Sequence, residues 1–84
     1  MIKFTVTDDT PSAPVSWYYD RHTLFVDGTF DGALQVEASP DGQTWFPVPD
    51  ASLTSRGMLN LDVASAAYRV VSTGANPNLT VWVG

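Results

Sequence analysis

Apolar residues recur at every second position in short runs along this chain, and glycine, proline, asparagine and aspartate separate the runs. A period of two is the signature of strands that bury one face. Residues 2–7 place Ile2, Phe4 and Val6 on one face. Residues 8–14 read as a loop, because Pro11 and Pro14 each remove a backbone donor. A short strand is predicted over 15–19, with Asp20-Arg21 as a turn. Residues 22–30 follow as a longer strand in which Leu24, Val26 and Phe30 share one parity. Residues 34–39 turn Leu34, Val36 and Ala38 inward. Residues 58–63 place Leu59, Leu61 and Val63 inward and Asn60 and Asp62 outward, and 67–73 reads as a further strand. After a turn over 74–78, residues 79–83 bury Leu79, Val81 and Val83 and turn Trp82 outward.

Helix signals are nearly absent. Glu37 is the only glutamate, Lys3 is the only lysine, and no stretch keeps an i, i+3, i+4, i+7 apolar face. Residues 62–67 read as a turn or a single helical turn. The pattern predicts an all-β fold, a small antiparallel β-sandwich or barrel of about eight short strands. It is one domain over 1–84, with residues 1–21 as an N-terminal strand and loop, a candidate partner-binding segment, and 22–84 as the β core.

Ser39-Pro40-Asp41-Gly42 is the sharpest local signal. Pro40 presets the first turn residue, Asp41 bonds its own backbone, and Gly42 takes the left-handed position. A three-residue loop pairs Ser39 with Gln43, so Ala38 meets Thr44, Val36 meets Phe46 and Leu34 meets Val48. The same register puts Trp45 on the opposite face, across from Glu37. Asp31-Gly32 reads as a second turn, ending at Ala33 or relieved by a bulge at Gly28, and it makes 22–30, 34–39 and the strand after Gly42 a meander.

The chain is 84 residues long, 44% hydrophobic and 12% aromatic, which is a globular composition. A domain this small buries only about 60–65% of the surface its chain exposes. Small cores are commonly supplemented by a disulfide, a metal or a partner. There is no cysteine, which excludes a disulfide, a thiolate zinc site and a thiol nucleophile. No metal-ligand cluster is found, and a partner is the favoured supplement. The net charge of -5, with nine acidic against four basic residues, argues against a nucleic-acid backbone as partner. No apolar run approaches the ~18 residues of a membrane span, and the alternating start does not read as a signal peptide.

Chemistry is sparse. His22 is the only histidine, at a strand start beside Arg21, and reads as a surface residue. No nucleophile-elbow, zincin or P-loop pattern occurs. Residues 27–32 hold two carboxylates, Asp27 and Asp31, where a calcium loop needs six to eight converging oxygens, and turn formation explains both Asp-Gly pairs. No catalytic residue, cofactor site or metal site is predicted, and the chain does not read as an enzyme. The aromatic residues Trp17, Tyr18, Trp45 and Trp82 are the candidate interface residues, because alternation turns Trp45 and Trp82 away from the core and exposes at least one ring of Trp17-Tyr18-Tyr19.

Two resemblances follow. Ser39-Pro40-Asp41-Gly42-Gln43-Thr44-Trp45 resembles the Asp-box hairpin of sialidase-like propellers and, more closely, the Ser-x-Asp-Gly-x-Thr-Trp hairpin of discoidin-like carbohydrate-binding sandwiches. Over residues 28–83, the order Gly28-Thr29-Phe30-Asp31-Gly32-Ala33-Leu34, the 39–45 hairpin, Gly57, Tyr68-Arg69-Val70-Val71-Ser72-Thr73-Gly74 and Leu79-Thr80-Val81 resembles short all-β virion proteins of tailed bacteriophages. That resemblance implies a capsid decoration, cement or head–tail accessory protein, made in the host cytoplasm and located in the virion. It implies the major capsid protein or other virion proteins as partners and a homo-oligomer, with a trimer favoured, and neither nucleic acid nor membrane. The alternative is a small carbohydrate-binding or fibre-associated module, with Trp45, Trp82 and Tyr18 as sugar-stacking platforms.

Overall fold

The computed structural model describes residues 2–12, 22–61, 67–74 and 77–84, the side chains of Ile2 and His22 excepted. The predicted strand over 15–19 and the turn over 62–67 therefore lie largely or wholly outside the described residues. Seven strands are described: β1 (Ile2–Val6), β2 (His22–Thr29), β3 (Leu34–Ser39), β4 (Phe46–Leu53), β5 (Gly57–Leu61), β6 (Ala67–Ser72) and β7 (Asn78–Val83). They form a four-stranded sheet in the order β1-β7-β2-β5 and a three-stranded sheet in the order β4-β3-β6. Every pairing is antiparallel. The protein is a small all-β sandwich.

The core lies between the sheets and is built from alternate positions of both. Val6, Leu24, Val26, Leu61, Leu79, Val81 and Val83 come from the four-stranded sheet. Leu34, Val36, Val48, Ala51, Tyr68 and Val70 come from the other. The inward residues predicted for β2, β3, β5 and β7 pack in this core or against it, except Val63, which lies outside the described residues; a period of two fixes the face of a strand whatever its neighbours are.

The predicted meander does not form. β2 pairs with β7 and β5, whereas β3 pairs with β4 and β6. Asp31-Gly32 is a corner between the sheets. Beyond it the Ala33 amide donates to Thr73 Oγ1 (2.9 Å) and the Thr73 amide donates to the Ala33 carbonyl (2.8 Å). These bonds fasten the crossing chain to the end of β6. No bulge forms at Gly28 in the β2–β7 ladder, which runs without a break from Leu24 to Thr29. Gly28 instead adopts φ 122°, and a Cβ there would lie 2.1 Å from the Asn78 carbonyl oxygen. The position is closed to any side chain.

The 39–45 hairpin forms with a wider loop than predicted. Gly42 is left-handed, with φ 81°. Ser39 Oγ accepts from the Gly42 amide (2.7 Å), and Asp41 Oδ1 accepts from the amides of Gln43 and Thr44 (both 2.8 Å). These side-chain bonds hold a wider loop, with residues 39–45 between the paired positions, so Ala38 faces Phe46 and not Thr44. Further along, the register shifts between Gln35 and Glu37, so that Leu34 meets Leu53 and not Val48. Gln35 Nε2 donates to the carbonyls of Val48 (3.0 Å) and Ala51 (3.2 Å), and Asp50 takes φ 59°. The bulge turns Val48 and Ala51, three residues apart, into the same core.

One side of the sandwich is closed by the N-terminal segment. β1 lies at the edge of the four-stranded sheet, and Ser12 meets the edge strand of the other, where its amide donates to the Val70 carbonyl (3.0 Å) and its Oγ accepts from the Val70 amide (2.9 Å).

Candidate binding face

The outer side of the four-stranded sheet carries an apolar row. Strand pairing sets Lys3 beside Trp82, Trp82 beside Phe25, and Phe25 beside Met58, across β1, β7, β2 and β5 in turn. Their parity is opposite to that of Leu24, Val26, Leu59, Leu61, Val81 and Val83, so all four face away from the core. Phe25 is 37% and Met58 53% exposed, and Trp82 is half-buried by its neighbours. The Lys3 ammonium lies 5.7 Å from the centre of the Trp82 ring and ends the row with a cation.

The next row along the strands is polar. Thr5 pairs with Thr80, and Thr80 with Asp27. Asp27 Oδ1 accepts from the Gly28 amide (2.8 Å) and lies 3.3 Å from Arg56 Nε. Phe25, Met58, Trp82, Asp27 and Arg56 together line an open groove of about 520 Å³. The groove has an apolar floor and one end that carries both a carboxylate and a guanidinium. Such a surface can stack a flat or apolar group and hydrogen-bond its edge.

Trp45 belongs to the other side of the molecule. The Arg69 guanidinium lies 4.5 Å from the centre of its ring, and Arg69 Nε donates to Glu37 Oε1 at 2.7 Å. Arg69 and Glu37 are direct partners across β6 and β3 and stand on the outer side of the three-stranded sheet. Trp45 therefore lies on Glu37's face, as the sequence predicts, but it reaches that face through Arg69; the residue opposite Glu37 on β4 is Pro47. The two tryptophans stand on opposite outer faces and do not form one aromatic surface. Trp17 and Tyr18 lie outside the described residues, as does the His22 side chain.

Phe25, Met58, Asp27 and Arg56 were not among the sequence candidates. Arg56 lies in the bend before β5 and has no strand parity, whereas the outward parity of Phe25, Asp27 and Met58 was readable from the alternation of β2 and β5. Their adjacency was not, because it depends on β7 lying between β1 and β2 and on β5 lying beside β2. Among the described residues no group of three or more His, Asp or Glu side chains converges to hold a metal, and no helix is long and apolar enough to cross a membrane. Comparisons of the chain with family models, with curated proteins and with solved structures each return no match.

Proposed function

We propose that this domain is a non-enzymatic structural virion protein of a tailed phage, a capsid decoration or cement protein, and that it meets the shell with the outer face of its four-stranded sheet. The observation that carries the reading is the row Trp82, Phe25 and Met58 beside a rim of Lys3, Asp27 and Arg56. Aromatic residues and methionine at the centre with charges at the border is the composition of a protein contact surface. The virion itself enters through the resemblance over residues 28–83. The net charge of -5 suits a shell that presents basic patches and keeps the free protein soluble. Repetition over many shell sites makes a modest single contact sufficient. The test mixes the purified protein with capsids that lack it and counts bound copies. Saturable binding that Trp82→Ala abolishes supports the reading; absence of binding, or equal occupancy by the variant, refutes it.

A second reading has its own observation. The groove between Phe25, Met58 and Trp82 ends at the Asp27–Arg56 pair, an arrangement suited to one face and the hydroxyl edge of a pyranose ring. A small carbohydrate-binding or fibre-associated module would use it so. Glycan titration followed by Trp fluorescence separates the two readings: a saturable change with no capsid binding moves the carbohydrate reading ahead.

A further inference from the structure

Each sheet of a sandwich has two edges whose backbone groups are open to another strand, and soluble proteins block them. Three of the four edges here are blocked. On β6 both backbone groups of Val70 are taken up by Ser12, the carbonyl by its amide and the N–H by its Oγ. β4 carries Pro47 and Pro49 and is kinked by its bulge and by left-handed Asp50. β1 carries the charged Lys3 within the strand, and Asp8 and Asp9 follow it after Thr7.

β5 has none of these devices within the strand itself, although Arg56 directly precedes it. Its sequence, Gly57-Met58-Leu59-Asn60-Leu61, holds no charge and no proline, and its ladder with β2 is regular. The orientation of its free groups follows from the next strand. Thr23 exchanges both backbone bonds with Gly84, so its N–H and C=O point toward β7. Alternation turns those of Leu24 toward β5, where Leu24 pairs with Leu59. The N–H and C=O of Met58 and Asn60 therefore point away from the sheet, and among the described residues no backbone bond reaches them.

We infer that two copies of this chain pair β5 against β5, antiparallel about a two-fold axis at Leu59, and join their four-stranded sheets into one of eight strands. The register follows from the free groups: Met58 meets the partner's Asn60 and Asn60 meets the partner's Met58, each pair exchanging two backbone bonds. Leu59 meets the partner's Leu59 on the core side. The apolar row that ends at Met58 then runs on to the polar Asn60–Thr23 row of the other copy, and the two apolar rows lie offset on one continuous face. The contact is self-complementary, so it closes at two copies. A trimer built by strand-edge pairing, by contrast, needs two different open edges to meet in a ring, and the other three are blocked. The inference stands on the sheet edges and does not depend on what the outer face binds.

The test is sedimentation equilibrium of the full chain from about 10 μM to about 1 mM, a range that covers the weak association expected of a short edge contact. Wild type shifts from monomer to dimer across it. Asn60→Pro removes one outward N–H and the side-chain contact with Thr23 Oγ1 but no backbone bond of the β2–β5 ladder, and leaves a folded monomer at every concentration. Amide exchange provides a readout without a variant: the Met58 and Asn60 amides slow as concentration rises, while the Leu59 amide, already bonded to β2, does not change. A wild type that stays monomeric at the upper limit overturns the pairing. So does a trimer, or an association that survives in folded Asn60→Pro and disappears in Trp82→Ala. If Asn60→Pro fails to fold, the amide pattern decides alone.

Discussion

Trp82 on β7 stands directly across the ladder from Phe25 on β2, on the side of the sheet turned away from the core. A cross-strand aromatic pair of this kind contributes roughly 0.2–1 kcal/mol to the sheet. That is too little to account for turning two large rings outward in a domain of this size, whereas a contact surface makes use of both. Trp82→Ala and Phe25→Ala are therefore expected to fold, with a small loss of thermal stability, and, under the proposed attachment to a shell, to lose that binding by roughly 2 kcal/mol or more each. Trp45→Ala is the matched control. It removes an equally large ring from the opposite face, and it should leave occupancy unchanged. Counting bound copies for the three variants decides whether attachment belongs to one face.

Glu37, Arg69 and Trp45 form a unit that serves the fold. The Arg69–Glu37 pair is largely shielded, with side chains 24% and 20% exposed, and the guanidinium also covers the indole. Arg69→Ala leaves Glu37 without this cation and uncovers Trp45, and a destabilisation of about 1–3 kcal/mol is expected. Arg69→Lys keeps the charge and loses the flat stack, so it should recover only part of the loss. Urea unfolding of the two variants measures both effects.

Gln35 is the other polar residue on which the three-stranded sheet depends. Its carboxamide holds the carbonyls of Val48 and Ala51 and so fixes the bulge that turns both side chains inward. Gln35→Leu keeps the volume and leaves both carbonyls without that donor. A loss of about 1–3 kcal/mol is expected, together with faster exchange along β4 than along β7. A variant as stable as wild type would show that the bulge is fixed by Asp50 and the prolines alone.

The alternation of residues gave the face of nearly every strand, because parity depends only on the local chain. It did not give the sheet. Asp31-Gly32 has the chemistry of a hairpin turn, and the chain uses it as a corner; the deciding contacts are those between Ala33 and Thr73, some forty positions apart. The same limit explains the site. Trp82 was legible as an outward ring, but Phe25 and Met58 joined it only once β7 and β5 flanked β2. The hairpin loop is wider than its turn residues predict for a local reason: Asp41 holds two successive amides as well as Ser39, and that network widens the turn.

Two glycines separate strain from crowding. Gly42 is left-handed and has no atom within 4 Å of a would-be Cβ, so only the backbone resists a side chain. Gly42→Val is expected to cost about 1–2 kcal/mol. At Gly28, by contrast, even alanine places a Cβ 2.1 Å from the Asn78 carbonyl oxygen in a positive-φ conformation. Gly28→Ala should therefore destabilise more than Gly42→Ala, and it should weaken the β2–β7 ladder that presents Phe25 and Trp82. Thermal melts of the two alanine variants make the comparison, and equal losses would place the strain in the backbone alone.

Acid should loosen the 39–45 loop late and locally. The amides of Thr44 and Gln43 donate to the Asp41 carboxylate, and these bonds hold its pKa at about 2, below the ordinary 3.8. A carboxylate with a lower pKa folded than unfolded stabilises the fold fully above its unfolded value, and the contribution disappears as pH falls through the folded value. The window is therefore about pH 4 down to about pH 2. Across it the amides of Gln43 and Thr44 should exchange progressively faster, and the Asp41 carboxyl carbon should titrate with a midpoint near 2 by NMR. Asp41→Asn keeps an acceptor and removes the charge. Its melting temperature should fall below that of wild type at neutral pH and converge with it near pH 2. A carboxyl midpoint close to 4 would mean that the two amides do not hold Asp41 in solution, and the wide 39–45 loop would then need another support.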